Sequence, residues 1–318
     1  MTQSFASAGD LEQKTVSFTE LSPGRAYAYT AEGDPNTGVV IGDRGVMVID
    51  AQATPAMAQD VIAHIRGVTP LPVTHVLLTH YHAVRVLGAS AYGAHTVIGS
   101  RGTHALIVER GEQDKASEIG RFPRLFQGLD SVPPGLTWPN LIFDGSIDID
   151  LGSVVVQVFA PGRGHTSGDT VAWLPKERIL FAGDLVESGA TPYTGDAHLT
   201  DWPDTLNRLQ ILAPQKLVGG RGGALLSAAD SHGAIEGTRS FVTDLYQYTA
   251  AAAAGGRPLR AAYPDVYQAM KAKYGDWFIF EHCMPFDVSR AYDEVRGIEH
   301  PRIWTAERDR EMWAELHG

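Results

Sequence analysis

Two histidines, His80 and His82, stand at positions i and i+2 where an apolar run, Val73 to Leu78, gives way to a polar loop. In an extended chain, residues two apart project to the same side. Both rings can therefore face one metal ion. A third histidine, His165, follows Gly164, and Asp184 follows Gly183 at the end of another apolar run. Imidazole nitrogens and carboxylate oxygens are donors suited to zinc, iron or manganese. The adjacent glycines let the backbone turn sharply and approach closely.

The elements that must position these groups follow from periodicity. Val16 to Asp50 reads as short strands broken by the turn residues Gly42 to Gly45. Met57, Val61, Ile62 and Ile65 keep helical spacing. A meander followed by strand, helix and strand predicts an α/β or layered α+β domain. Beyond His82, the pattern predicts a short helix over Arg85 to Tyr92, a strand at Thr96 to Gly99 and a helix over Arg101 to Gly111. Residues 112–139 read as an irregular connection, a lid or binding loop, with Phe122, Phe126 and Trp138 either as an apolar wall over the site or as ordinary packing of that connection. Further strands end at Phe143, Ile149, Phe159, Leu174 and Asp184, and Trp202 to Leu212 is an amphipathic helix. A last strand runs into the glycine loop around Arg221. Residues 228–255, 262–274 and 287–296 and the segment Trp304 to Leu316 read as helices. The expected organisation is a flexible tail at 1–15, a main domain at 16–226 and a helical C-terminal extension at 227–318 packed on it.

Composition narrows the partners. The 318 residues are 44% hydrophobic and carry a formal charge of −11. That acidity argues against nucleic acid or an anionic membrane as the main partner and for a small-molecule substrate. No apolar run is long enough to span a bilayer. Cys283 is the single cysteine, so no internal disulfide can form and a reducing, cytoplasmic setting is expected. Met1 to Gln13 does not read as a signal peptide. Oligomeric state is open, with a homodimer through the helical extension as one option.

Gly45 to Asp50, Leu78 to His82, Gly164 to Asp169, Phe181 to Asp184 and the glycine loop near Arg221 occur together and in one order. In them the chain resembles the metallo-β-lactamase fold superfamily, in its hydrolase branch. The resemblance implies a four-layer αββα sandwich with a metal site along one edge. It also implies two metals, held by an HxHxDH motif, a later His, a bridging Asp and a final His. Carried over, His80, His82 and His165 are the ligands of the first metal and Asp184 is the bridging carboxylate. The second-metal ligands fall on Val84, Arg85 and Arg221. Arginine stays protonated, cannot ligate and repels a cation. The two guanidinium groups instead suit an ion pair with Asp184 or an anionic substrate group.

The function expected is that of a mononuclear metallo-hydrolase attacking an ester, lactone, amide, thioester or similar electrophilic carbon. Zinc is the first choice of metal, with iron or manganese as alternatives. Asp184 would orient water or shuttle a proton. Arg85 and Arg221 would stabilise an oxyanion or anchor an anionic substrate. Tyr81, Tyr193 and His198 are candidate substrate-binding residues, with packing beneath the site as the other reading for Tyr81. Asp50 and Asp169 are expected to support the ligand loops, and His282 and Cys283 to be core. Two alternatives stand beside the hydrolase. One is a mononuclear iron oxygenase of the persulfide dioxygenase type, using His80, His165 and Asp184. The other is a non-catalytic member with a vestigial site.

Overall fold

The computed structural model describes residues 5–10 and 12–317. Strands β1 (Ser17–Ser22), β2 (Ala26–Thr30), β3 (Thr37–Gly42) and β4 (Gly45–Ile49) form an antiparallel meander. Helix α1 (Pro55–Val68) starts at Thr54, whose hydroxyl accepts from the Met57 N–H, and Pro55 occupies its first turn. It leads to β5 (Val73–Leu77), parallel to β4. The short α2 (Ala83–Val86) precedes β6 (Thr96–Ser100), the long α3 (Arg101–Arg121) and β7 (Leu141–Phe143). These seven strands make one sheet in sequence order.

Strands β8 (Ser146–Asp150), β9 (Val155–Phe159), β10 (Val171–Leu174) and β11 (Ile179–Gly183) form a second meander. Helix α4 (Trp202–Ile211) crosses back to β12 (Lys216–Gly219), parallel to β11. The remaining chain is helical, as α5 (Ala228–Ala252), α6 (Leu259–Tyr274), α7 (Phe280–Val295) and α8 (Ala306–His317).

The two sheets close on a buried apolar layer that includes Met47, Leu77, Val158 and Phe181. The outer face of the first sheet is covered through Val61, Ile65 and Leu87. The outer face of the second is covered by α4 to α7 through Trp202, Phe241 and Met284. The result is the expected αββα arrangement with a helical C-terminal region. Among the described residues, no helix is long and apolar enough to cross a membrane.

Three local readings are corrected. Helix α3 continues to Arg121 instead of ending at Gly111. Its second half lacks an apolar stripe because the buried face carries Arg110, Asp114, Glu118 and Arg121. Phe122 and Phe126 pack in the core beneath the first sheet, and Trp138 is 47% exposed beside His104, so the three form no common wall, and of them only Phe122 borders the cavity lined by Arg221. Helix α7 begins at Phe280 and runs through Pro285, a residue whose missing N–H argues for a later start. Of the expected tail, residues 1–4 and 11 lie outside the described residues. Phe5 packs edge-on against Trp313 at 5.2 Å.

Candidate metal centre

The ends of β4, β5, β11 and β12 converge on one edge of the sandwich. They deliver Asp50, His80 with His82, Asp184 and Arg221, and the loop after β9 adds His165. The three imidazole rings stand nearly perpendicular to one another, with centroids 4.7–4.9 Å apart. One nitrogen from each lies within 4.8 Å of the others, and all three rings are buried.

Hydrogen bonds decide which nitrogens face inward. The Thr79 hydroxyl donates to Asp50 Oδ2 (2.8 Å), so its oxygen is left to accept from His80 Nδ1 (2.9 Å). His80 therefore turns the lone pair of Nε2 into the site, where that buried atom has no partner. His165 Nδ1 donates to the Tyr193 carbonyl (2.8 Å), which frees Nε2. His82 Nε2 donates to Asp196 Oδ2 (3.1 Å), which frees Nδ1. His82 Nδ1 and His165 Nε2 approach to 3.0 Å. A proton between them makes this an ordinary hydrogen bond, and a divalent cation would take that proton's place. Tetrahedral metal–nitrogen bonds of about 2.05 Å hold neighbouring nitrogens roughly 3.3 Å apart, close to this spacing. The donor set fits a divalent metal, and each ligand already has the outer partner that such ligands require.

Asp184 completes the group. Its Oδ2 is 3.8 Å from both His80 Nε2 and His165 Nε2. Its Oδ1 is 2.5 Å from Arg85 Nη2. Burial alone would raise this carboxyl. Arg85, assisted by His80, His165 and Arg221, outweighs burial and holds it far below the usual range. Close approach of the β12 loop requires glycine. A Cβ on Gly220 would lie 2.2 Å from Asp184 Oδ1. Gly183 has φ +53°, and a Cβ there would meet Thr79 Oγ1 at 2.6 Å. Asn36 secures the same loop by donating to the carbonyls of Gly219 (3.1 Å) and Gly222 (2.9 Å).

The other candidates divide. Arg85 is fully buried and engaged by Asp184, with a long contact to the Asn36 carbonyl at 3.4 Å, so it does not face a substrate. Arg221 donates to the Gly33 carbonyl (3.0 Å) and lines a cavity that opens to solvent. Val84 packs its side chain in the core under the first sheet. Tyr81 buries its ring and donates its hydroxyl to Asp196 (2.8 Å), away from the substrate position expected for it. Tyr193 holds His165 through its carbonyl, and its ring lies 5.7 Å from that of His82. His198 donates its backbone N–H to the Gly164 carbonyl (2.9 Å), and its charged neighbours Arg163, Arg290, Glu294 and Asp201 lie outside the site. Its backbone thus braces the His165 loop. Asp50 and Asp169 are buried and accept hydrogen bonds from Thr79 and Thr166 respectively, which ties down both ligand loops.

Several site-building residues escaped the sequence reading. Asp196 accepts from Tyr81, His82 and Arg110 together. On α3, Asp114 accepts the Ala83 N–H (2.8 Å) and Glu118 the Val84 N–H (2.7 Å), which caps α2 directly behind His82. These carboxylates act on His82 as well. Burial lowers its imidazole, but Asp114, Asp196 and Glu118 together lift it to about 9. A site of this polarity favours a cation. The signal available was the spacing 110, 114, 118 and 121, one helix face with two carboxylates between two arginines.

A family model described as "Metallo-beta-lactamase superfamily" matches residues 30–217. Among curated proteins, a metallo-beta-lactamase type 2 of Bacillus sp. (strain 170) is 25% identical over 209 residues, 62% of this chain and 72% of that one. The metallo-beta-lactamase type 2 of Bacillus cereus is 27% identical over 186 residues, 57% of this chain and 64% of that one. The chain thus spans about two thirds of the length of these relatives. Among solved structures, a metallo-beta-lactamase from Pontibacter korlensis superposes with a TM-score of 0.57 at 21% identity, over 72% of this chain and 99% of that one. With the three-histidine cluster and the αββα layers in place, the family match over more than half of the sequence settles the affiliation: this chain belongs to the metallo-beta-lactamase superfamily.

Proposed function

We propose that the protein is a metal-dependent hydrolase working with a single divalent ion, zinc first. It would act on an ester, lactone, amide, thioester or similar electrophilic carbon of a small substrate. The observation that carries this reading is the pairing of an intact ligand set with a filled second position. One ligand atom from each of His80, His82 and His165 lies in a single buried cluster, while Arg85, which the resemblance sets at a second-metal ligand position, is ion-paired with Asp184. A divalent ion held by the three histidines supplies Lewis-acid activation of water and of the scissile carbonyl.

The chain's own residues do the rest. Asp184 presents Oδ2 to the metal-facing nitrogens of His80 and His165, while Arg85 holds the opposite oxygen. A carboxylate kept so far below neutrality is a weak proton acceptor but a good hydrogen-bond acceptor. Asp184 therefore orients the attacking water instead of removing its proton. Asp50 through Thr79, Asp196, and the Tyr193 carbonyl keep the three rings in one tautomer and one direction. Arg221, free of any carboxylate within 4 Å among the described residues, is the cation left to face substrate.

The test is elemental analysis of purified protein together with hydrolysis of ester, lactone, thioester and β-lactam panels. One equivalent of zinc, and activity abolished in His165→Ala, are expected. Two equivalents would refute the single-ion reading. Iron with oxygen uptake on a thiol persulfide would move the protein to the oxygenase class. No metal and no turnover would leave only the fold.

A further inference from the structure

The loop between β11 and α4 carries two outer partners of the metal ligands, the Tyr193 carbonyl for His165 and Asp196 for His82. Residues 193–199 form neither helix nor strand, yet all of them are buried. A buried irregular backbone has to find partners for its N–H and C=O groups elsewhere in the molecule. This loop finds them on one face of α7. Asp287, Arg290 and Glu294 are three and four residues apart, so their side chains leave the helix on the same side. Asp287 Oδ1 accepts the Thr194 N–H (2.7 Å) and hydroxyl (3.0 Å). Arg290 Nε donates to the Ala197 carbonyl (2.7 Å). Glu294 accepts the N–H of Leu199 (3.0 Å), the N–H of Thr200 (2.9 Å) and the Thr200 hydroxyl (2.7 Å). Beyond the helix, Trp304 Nε1 donates to the Gly195 carbonyl (3.0 Å).

The first of these bonds reaches the metal centre most directly. The Tyr193 C=O and the Thr194 N–H belong to one peptide unit, which is planar and trans. Its two polar groups therefore point in opposite directions. One end accepts from His165 Nδ1 at 2.8 Å, and the other donates to Asp287 Oδ1 at 2.7 Å. Bonds at both ends fix the plane, and hydrogen bonds in such a chain polarise one another. Asp287 is fully buried, and among the described residues its side chain bonds only to Thr194. The second ligand is held in a similar way. Asp196 joins His82 Nε2 to Arg110 Nη1 (3.1 and 2.8 Å), and Arg110 Nη2 donates to the Pro301 carbonyl (3.1 Å). His80 differs, because Thr79 and Asp50, which support it, stand at the ends of β5 and β4. Asp287, Arg290, Glu294, Pro301 and Trp304 all lie beyond residue 217, where the family match ends.

We infer that Asp287 is a positioning residue of the metal centre, acting on His165 through the 193–194 peptide, and that Arg290 and Glu294 complete a clamp on the loop that also brings Asp196 to His82. Two of the three histidines are then held by the helical C-terminal region, and metal affinity depends on α7 gripping this loop. The coupling is reciprocal: a bound ion that fixes His82 and His165 also tightens the loop on α7. The inference rests on the three histidines holding a divalent ion, and not on which bond the protein cleaves.

Two measurements on the full chain test the assignment, and neither needs turnover. The first is zinc affinity by competition against a chromophoric chelator. Asp287→Ala and Glu294→Ala should each bind zinc about three- to tenfold more weakly, somewhat less than the 10–100-fold lost with a direct outer partner. Asp287→Asn keeps Oδ1 and puts its amide where Oδ2 has no partner, so its affinity should stay close to native. Val266→Ala, a truncation at a buried position of α6, is the control for general loosening of the helical region and should also keep native affinity. The second measurement is amide exchange of the native protein by NMR, with and without zinc. The N–H groups of Thr194, Leu199 and Thr200, which α7 accepts, should exchange more slowly with zinc bound. Native zinc affinity in both alanine variants would overturn the clamp, and so would exchange at these three amides that ignores zinc. An equal loss in Val266→Ala, or in Asp287→Asn and Asp287→Ala alike, would reject the hydrogen bonds as its route. If Asp287→Ala does not fold, Glu294→Ala and the exchange data decide. A zinc-loaded native chain that hydrolyses nothing would reject the hydrolase and leave the clamp standing.

Discussion

Arg85 Nη2 lies 2.5 Å from Asp184 Oδ1, with the two side chains 0% and 5% exposed. On the single-ion proposal, this guanidinium takes the position, and part of the charge, of a second metal ion. It cannot accept a lone pair, but it keeps the bridging carboxylate ionised and aimed.

Removing that guanidinium should be costly. Arg85→Met leaves Asp184 as an unpaired buried anion. A loss of roughly 3–5 kcal/mol is expected for breaking one side of such a pair. Urea denaturation of the metal-free protein measures it. A loss below about 1 kcal/mol would mean that Asp184 finds another partner or becomes protonated.

The supports of the histidines should control metal affinity. Thr79→Val removes the acceptor of His80 Nδ1, and Asp196→Asn weakens the acceptor of His82 Nε2. Each is expected to lower zinc affinity by about 10–100-fold, as loss of an outer partner of a metal ligand does. Competition against a chromophoric chelator reads this directly. Unchanged affinity in both variants would show that the rings are held by packing alone.

The β12 loop should admit no side chain. A Cβ on Gly220 would lie 2.2 Å from Asp184 Oδ1 and 2.8 Å from Arg85 Nη2. Gly220→Ala is expected to destabilise by about 1–3 kcal/mol, the usual range for overpacking. The matched control is Gly223→Ala, where no neighbour lies within 4 Å of the added carbon. Equal melting temperatures for the two variants would contradict the close approach.

Glu187 should make the fold less stable as pH rises. Its carboxyl is pushed up to about 8 by burial and Asp184, against about 4.3 in an unfolded chain. Between these values the folded state binds more protons than the unfolded one, so stability falls with rising pH and levels off above about 8. Glu187→Gln removes that slope. Denaturation midpoints of the two proteins from pH 5 to pH 8.5 should therefore diverge, the variant gaining relative to the native chain as pH rises. Parallel curves would place Glu187 in a more polar environment than its burial indicates.

Much of the centre was legible before any coordinates. His80 and His82 at i, i+2 after an apolar strand, and His165 and Asp184 after glycines, are local patterns. They depend on the pleat of a strand and on backbone freedom at glycine, both of which short-range sequence dictates. The layered fold followed for the same reason, from strand and helix periodicity.

The rest depended on residues far apart in the chain. Asp196 serves His82 across 114 positions, and the groups that cap α2 come from the buried charged face of α3. A polar face reads as a solvated surface until tertiary packing turns it inward, which is also why α3 looked shorter than it is. Arg85 and Arg221 are the same residue type at two lost ligand positions, and no local rule tells them apart. Burial assigns one to Asp184 and leaves the other to a cavity. His282 reads in the sequence only as a core residue beside Cys283, and it is buried. Sequence alone determined which residues could hold a metal. The tertiary structure decided which charges face one another and which face open space, because ion pairing and burial depend on distances that local pattern does not encode.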